Sequence, residues 1–308
     1  MSLNTENNIT KNRMLENKIE DNKITEKFAK VIANQTFDEE RALYNLQDTK
    51  VTDCVFAGPA DGESALKEAR NVSLHNCKFS LRYPLWHAKQ FHLADSSMDT
   101  LTRAPIWYAS EGKLTNCVID GIKSIRECEK IELVDCKITS PEFGWKTNQI
   151  KIKSCEIESE YFLFESRDIE IDNLKMSGKY SFQYVKNMHI INSVLDTKDA
   201  FWHSENVTVE NSVVKGEYLG WYSEGLTLIN CHIIGTQPLC YCKNLKLINC
   251  TMEGTDFSFE YSEVEADVKG SILSVKNPKT GRIIADDIGE IILEGSILES
   301  ECDIQIRR

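Results

Sequence analysis

Short runs of alternating apolar and polar residues recur along most of the chain. In one such run Ile150 and Ile152 are separated by a lysine, and in the next Ile169 and Ile171 are separated by a glutamate. Alternation of this kind, with β-branched residues at the apolar positions, predicts short strands that bury one face. Glycine or serine follows at the next bend, as a turn requires. The pattern therefore predicts an all-β chain of short strands joined by turns.

The runs return every nineteen residues. The position that marks this interval holds a cysteine, leucine or serine, at Cys117, Cys136, Cys155, Leu174, Ser193, Ser212, Cys231 and Cys250. The spacing is looser before Cys117, and about a dozen units follow the pattern in all. One unit cannot bury its apolar side alone, so successive units must stack. We predict a single-stranded parallel β-helix with coils of about 19 residues.

A leucine-rich repeat is the alternative fold, because its strand is also followed by an asparagine. Its units usually run to roughly 20–29 residues and need apolar positions for a helical segment. In this chain the corresponding part of the unit is rich in aromatic residues. The β-helix is therefore the favoured fold.

The repeat also predicts how the chain is divided. Residues 1–27, rich in Asn, Lys, Glu and Thr, precede it and are expected to form a flexible polar extension. We expect an N-terminal cap over residues 28–50, β-helix coils over residues 51–270, and a C-terminal coil and cap over residues 271–308. Covered ends are expected because open strand edges promote aggregation.

Composition and charge limit which partners and which cellular location are expected for the protein. The 308 residues include 36 basic and 48 acidic side chains, a net charge of −12, which disfavours nucleic acid and anionic membranes as partners. No stretch is apolar enough to span a membrane. The first thirty residues lack the apolar core of a secretory signal, so we expect a cytoplasmic protein with free thiols.

Seven of the eleven cysteines occupy the marking position of the repeat, at Cys54, Cys77, Cys117, Cys136, Cys155, Cys231 and Cys250. Cysteine alternates there with serine and leucine, which indicates a small buried site. No set of histidines accompanies the column to complete tetrahedral metal coordination. We therefore predict no metal and no cofactor.

All five tryptophans share another position of the repeat, at Trp86, Trp107, Trp145, Trp202 and Trp221. The next position holds His87, Tyr108, Glu127, Lys146, Glu165, Tyr184, His203, Tyr222, Tyr241 and Glu260. Charged residues are costly to bury, so this second column is expected to face solvent, and strand alternation then turns the tryptophans inward. The column before the tryptophans is also apolar, so a bend there would expose the indoles instead.

In either arrangement, one face carries a line of aromatic side chains that suits the faces and hydroxyl groups of sugars. This favours a binding module for a glycan or a small molecule. The candidate ligand-binding residues are Trp86, His87, Trp107, Tyr108, Arg126, Trp145, Tyr184, Trp202, His203, Trp221, Tyr222, Tyr241 and Glu260. The competing interpretation is that these residues are packing and surface ladders.

Two further functions stay open at this point. Glu127 and Glu165 are two coils apart, ~9–10 Å between backbones, which is compatible with the acid and base of an inverting glycosidase, and Lys146 between them is an alternative base. The protein would then be a carbohydrate-active hydrolase or lyase. Flat β faces could instead pair chains in a scaffold or assembly subunit, which would make the protein a homo-oligomer.

Several strings resemble those of one group of proteins. They are Phe37–Leu43, matching F-x-G-E-R-A-L except at Glu39, Gly62–Ser64 with Leu66–Glu68, Tyr83–Trp86, Lys198–Trp202, Gly216–Trp221 and Lys276–Pro278. From Phe37 to about Ile297 the chain resembles an uncharacterised microbial family of single-domain, pectin-lyase-like, right-handed parallel β-helix proteins, a domain of unknown function. His203 and Tyr222 stand where the pattern has asparagine. The resemblance implies the fold and no activity, since the superfamily's catalytic strings (N-T-D, G-H-G and R-I-K) are missing.

Overall fold

Each strand lies beside its equivalent from the preceding coil of the chain. Ile150 pairs with Ile169 and Lys151 with Glu170, in parallel register, so residues nineteen apart are neighbours. The computed structural model describes residue 28, residues 30–58 and residues 62–307. These residues form a parallel β-solenoid of about 14 turns with coils of about 19 residues. The predicted fold is confirmed.

The first fifteen strands are β1 (Lys30–Ala33), β2 (Thr36–Phe37), β3 (Gln47–Thr52), β4 (Val55–Ala57), β5 (Arg70–His75), β6 (Lys78–Ser80), β7 (Lys89–Ala94), β8 (Ser97–Met98), β9 (Ser110–Thr115), β10 (Val118–Ile119), β11 (Glu129–Val134), β12 (Lys137–Thr139), β13 (Glu142–Phe143), β14 (Asn148–Lys153) and β15 (Glu156–Ser159). The other fifteen are β16 (Tyr161–Phe162), β17 (Arg167–Asp172), β18 (Lys175–Lys179), β19 (Lys186–Ile191), β20 (Val194–Lys198), β21 (Glu205–Glu210), β22 (Val213–Lys215), β23 (Glu224–Ile229), β24 (His232–Ile234), β25 (Leu245–Glu253), β26 (Glu263–Lys269), β27 (Ser271–Lys276), β28 (Thr280–Ala285), β29 (Asp287–Ile292) and β30 (Glu301–Ile306).

Each typical coil has a six-residue strand, a sharp bend and a short strand. The bend is made by one residue in the left-handed conformation, such as Asn211 (φ 50°) or Asn230 (φ 52°). Asparagine tolerates this conformation better than most residues. The bend residues also bond to one another along the rod, since the Asn230 amide donates to the Asn211 side-chain oxygen at 3.0 Å. These amides therefore help to hold the coils in register.

Apolar side chains from all coils form one continuous core. Phenylalanine rings stack within it, with 4.9 Å between the ring centroids of Phe56 and Phe79 and the same distance between those of Phe182 and Phe201. The predicted cysteine column is buried and every cysteine is free, which confirms that this position of the repeat is a small buried site. Burial raises the pKa of the Cys128 thiol to about 12 and that of Cys77 to about 11.

Both ends of the described chain continue the coil pattern. Strand β1 pairs in parallel with β3, and β28 pairs in parallel with β26 and β30. The predicted extension over residues 1–27 lies outside the described residues, and the cap boundaries at residues 50 and 270 stay predictions. Among the described residues, no helix has the length and hydropathy needed to cross a membrane.

Candidate functional site

The five tryptophans lie on the outside of the rod. Each is half-buried, whereas the apolar column just before them is completely buried. The reason is local, because Phe201 (φ 61°) and His203 (φ 53°) are both left-handed and interrupt the strand alternation around Trp202. The prediction that the indoles face the core is wrong, and the alternative of a bend that exposes them is correct.

Three of these indoles fasten one coil to the next. The indole N–H groups of Trp145, Trp202 and Trp221 donate to backbone carbonyl oxygens sixteen residues later, at 3.2, 2.6 and 2.8 Å. Trp202 and Trp221 also stack, with 5.5 Å between their centroids. Because their polar atoms are used within the protein, these tryptophans act mainly as clamps between coils.

Arg126 takes the place of a tryptophan in the same column. Its guanidinium lies between the rings of Trp107 and Trp145, 5.8 and 5.2 Å from their centroids, a cation–π arrangement. The side chain is only 23% exposed and lies 3.5 Å from Glu127 and 3.6 Å from Glu142. Arg126 is therefore an internal link whose charge is already neutralised, which argues against its predicted role in ligand binding.

The three predicted catalytic residues lie on the outer face beside Arg126. Glu127 contacts Arg126 and accepts a hydrogen bond from the Trp107 indole at 3.4 Å. Lys146, on the coil between the two glutamates, pairs with Glu165 at 3.4 Å. The Lys146 and Glu165 side chains are about half exposed, at 53% and 45%. The three residues are thus engaged in surface contacts with charged and aromatic neighbours.

Further along the same face, five rings form an uninterrupted stack, here called the ring ladder: Tyr184, His203, Tyr222, Tyr241 and Tyr261. Successive centroids are 4.9, 5.0, 4.8 and 5.9 Å apart, and the first three pairs are within 11° of parallel. Rings stacked face to face present their edges to solvent. The ladder therefore presents a row of phenol hydroxyl groups and one imidazole, and its flat faces are largely covered by neighbouring rings. The Tyr261 hydroxyl already accepts hydrogen bonds from Ser296 and from the Ile297 N–H, both at 3.4 Å.

The last ring of the ladder differs from the sequence prediction, which placed Glu260 there. The coil after Cys240 has one extra residue, so fully buried Phe259 follows Leu239 in the apolar column and Tyr261 stacks on Tyr241. Glu260 instead pairs with Lys276 at 2.9 Å, and its side chain is only 16% exposed. That bond raises the pKa of Lys276, while burial and the Glu260 charge raise the pKa of Tyr241.

A shorter aromatic group lies nearer the N-terminus. His87 stacks on Tyr108 at 5.1 Å, and Trp86 on Trp107 at 6.3 Å. The ammonium of Lys67 lies 4.3 Å from the Trp86 centroid. This group is separated from the ring ladder by the charged stretch around Arg126, so the predicted candidates form two groups on one face.

A groove that the sequence did not predict crosses the outer surface of the six-residue strands. Its volume is about 940 Å³. One wall is formed by the second residue of six successive strands, Glu111, Lys130, Gln149, Asp168, Asn187 and Asn206. The other wall is formed by outward-facing residues two positions later, Lys113, Glu132, Lys151, Glu170 and His189. Ligand-binding sites usually require a concave surface of this kind.

The groove exists because the first wall is left-handed throughout. All six residues of that wall have φ between 53° and 56°. At Asp168, for example, the left-handed turn makes both Arg167 and Asp168 point outward before Ile169 turns into the core. Two consecutive outward side chains in each coil form a ridge along the rod. The groove lies between this ridge and the row formed by the next outward side chain of each coil. Lysine and glutamate carry no sequence signal for this conformation, so only the recurrence of Asn and Asp hinted at it.

No group of three or more His, Cys, Asp or Glu side chains within the described ranges is arranged to hold a metal ion.

Several solved structures match this chain at low similarity. The surface adhesin PfbA of Streptococcus pneumoniae is 8% identical, with 86% of this chain and 85% of that chain covered and a TM-score of 0.38. The A-module of the Azotobacter vinelandii mannuronan C-5 epimerase AlgE6 is 11% identical, with coverage of 78% and 80% and a TM-score of 0.30. The Yersinia enterocolitica family 28 exopolygalacturonase is 8% identical, with coverage of 90% and 72% and a TM-score of 0.25.

No curated protein matches the sequence. The family comparison is more definite, because a single family model extends over nearly all of the solenoid, from residue 30 to residue 306. The chain belongs to the family described as "Protein of unknown function (DUF3737)".

Proposed function

We propose that the protein is a binding module for an extended, hydroxyl-rich chain, a glycan, which it contacts along the ring ladder. The observation that carries the proposal is the uninterrupted stack from Tyr184 to Tyr261, in which Tyr184, His203 and Tyr222 are exposed and Tyr241 and Tyr261 are half-buried. Tyr184 and Tyr222 remain 45% and 47% exposed, so their edges can be reached.

The ladder repeats with the coils. Its first four rings are 4.8–5.0 Å apart, so a polar group recurs once per coil along the rod. A phenol hydroxyl both donates and accepts hydrogen bonds, which matches the hydroxyl groups of a sugar. A glycan lying parallel to the rod would meet an equivalent group at each coil. Many modest bonds in a row would then provide affinity without a deep pocket.

Charge favours an uncharged glycan. The net charge of −12 repels polyanionic polymers. Beside the ladder, Lys186 pairs with Glu205 at 2.8 Å and Lys198 with Glu217 at 2.7 Å, so nearby lysines are already neutralised. An acidic polysaccharide would find little uncompensated positive charge on this face.

The test is a glycan array followed by calorimetric titration of the neutral glycans that bind. Tyr222→Phe together with Tyr241→Phe removes two hydroxyl groups and keeps both rings stacked. We expect this pair to weaken binding by roughly tenfold or more, since each lost bond contributes about 0.5–1.5 kcal/mol. Tyr44→Phe is the matched control, because Tyr44 is an exposed tyrosine outside the ladder. Unchanged affinity in the double variant, or an array without any binder, would overturn the proposal.

A further inference from the structure

The groove on the six-residue strands is a second, separate surface with the form of a binding site. It crosses six coils from Glu111 to Asn206. Five intervals of the usual strand spacing make it ~24 Å long, parallel to the rod axis. We propose that this groove binds an uncharged oligosaccharide lying along the rod, independently of the ring ladder.

The groove is electrostatically balanced, unlike the chain as a whole. Its walls hold four carboxylates and three ammonium groups, a formal sum of −1 against −12 for the chain. Lysines and glutamates face each other across neighbouring coils, with 3.7 Å between Lys113 and Glu132 and 2.8 Å between Lys151 and Glu170. A charged ligand would have to break these pairs or would meet little net attraction. The walls therefore favour a neutral ligand.

Amide groups make the opposite wall suitable for hydroxyl groups. Gln149, Asn187 and Asn206 carry both donors and acceptors. The Asn187 amide donates to Asp168 at 3.0 Å, and its oxygen accepts from the Asn206 amide at 3.4 Å. These bonds fix the orientation of Asn187 and leave it one N–H and one oxygen lone pair for a ligand. Between the walls, the floor is the strand backbone at Ile131, Ile169 and Met188, whose side chains turn into the core. A trough with hydrogen-bonding groups on both walls fits a sugar ring, which has hydroxyl groups at its rim.

The repeat of the groove argues against an extended peptide. The strands use their backbone groups in the sheet, so a peptide lying across them would have to be recognised through its side chains. Side chains on one side of an extended peptide recur every ~6.6 Å, whereas wall residues recur every ~4.8 Å, so the two fall out of step. An extended hexose chain advances by about one coil spacing per sugar, and successive sugars would therefore meet equivalent wall residues.

The experiment titrates the full chain with neutral cello-, malto- and laminari-hexaoses and with an oligogalacturonide as the anionic comparison. Lys151→Ala removes a wall side chain and leaves Glu170 unpaired. The matched control is Lys175→Ala, which breaks the exposed pair between Lys175 on β18 and Glu156 on the neighbouring strand β15, outside the groove. Circular dichroism melting shows whether each variant folds.

We expect a neutral hexaose to bind, Lys151→Ala to weaken its binding to the groove at least fivefold, and Lys175→Ala to leave that binding unchanged. The effect of Lys151→Ala should be the same when Tyr222→Phe and Tyr241→Phe are also present, because the groove is a separate site from the ring ladder. Tighter binding of the oligogalacturonide, or no binding of any neutral hexaose, would overturn the assignment. It would equally fail if the tyrosine pair weakened hexaose binding and Lys151→Ala did not, because the ligand would then lie on the ring ladder. If the ring ladder binds no glycan, Lys151→Ala should still weaken binding of the hexaose to the groove. The two proposals can therefore fail separately.

Discussion

Trp202 and Trp221 lie face to face on successive coils, with 5.5 Å between ring centroids and 5° between ring planes. Each also donates its indole N–H to a carbonyl oxygen sixteen residues later, that of Tyr218 for Trp202 and that of Gln237 for Trp221. One side chain thus stabilises the stacking of coils in two ways, by ring contact and by a hydrogen bond to the next turn.

The first prediction concerns this clamp. Trp202→Phe keeps a stacked ring and removes the bond to Tyr218, so we expect a loss of about 1 kcal/mol in the free energy of unfolding. Trp202→Ala also removes the stacking and should cost about 3 kcal/mol. Urea denaturation measures both. Tyr222→Phe, on the exposed ladder next to it, should stay within about 0.5 kcal/mol of the native protein. Equal effects of the three substitutions would show that the indole is not a clamp.

The second prediction concerns the fit between Gly112 and Phe91. A Cβ atom added at Gly112 would clash with the ring of Phe91, which is buried in the core. We expect Gly112→Ala to lose about 1–3 kcal/mol, the usual cost of overpacking. Adding Phe91→Leu should recover part of this loss, so that the double variant is more stable than the sum of the single effects predicts. Purely additive effects in the thermodynamic cycle would contradict this contact.

The third prediction concerns thiol reactivity. Ten of the eleven cysteines are buried, and burial disfavours the charged thiolate, with the pKa of Cys128 raised to about 12 and that of Cys242 to about 11. Cys302, on β30, is the partly exposed exception, and burial raises its pKa to about 11 as well. At pH 8 we expect iodoacetamide to modify Cys302 slowly and the other ten only after unfolding in urea. Mass spectrometry of the alkylated native protein gives the number of modified cysteines. Rapid modification of the stacked cysteines would contradict their burial.

The fourth prediction concerns pH and Asp199. Burial raises the pKa of its carboxyl above the ordinary value of 3.8, because the charged form is disfavoured in the folded protein. A raised folded-state pKa means that the destabilisation is absent below pH 3.8 and fully present once the pH exceeds the folded-state value. Asp199→Asn should therefore stabilise the protein at neutral pH, and this charge-dependent gain should vanish near pH 3.

Two measurements separate this effect from a conformational one. Asp199 is left-handed (φ 53°), where asparagine is also favourable, and that contribution does not change with pH. Thermal unfolding of Asp199→Asn at several pH values isolates the charge contribution. The control is Asp196→Asn, which removes an exposed pair with Lys215 at 2.9 Å and should not stabilise the protein at any pH. A gain that is constant from pH 3 to pH 7 would contradict burial as its cause.

The repeat and the fold could be predicted from the sequence because both follow from the spacing of apolar residues. Ile150 and Ile169 stand nineteen positions apart and pair directly, so periodicity in the chain becomes adjacency in space. The cysteine column follows the same rule. In each case the information needed is which residue types recur, and the sequence contains it.

The direction of the tryptophans could not be predicted in the same way. It depends on left-handed residues such as Leu163 (φ 56°) and Phe201 (φ 61°), residue types that rarely adopt this conformation. Stacking against identical turns above and below imposes it. The groove could not be predicted for the same reason, since Glu111 and Lys130 are left-handed although their residue types do not favour this conformation. Glu260 was misplaced because one inserted residue shifts the last ring to Tyr261.

Because the coils pair in a nineteen-residue register, the protein can become longer or shorter by whole coils. Excision of residues 187–205 would bring Asn206 beside Asp168, in the position that Asn187 now holds, and Val207 would replace Met188 over Ile169. The seam created by such a deletion is the same as every native boundary between coils. Duplication or loss of one unit would thus lengthen or shorten the groove and the ring ladder by one step each, so that the size of ligand accommodated could evolve without a new fold.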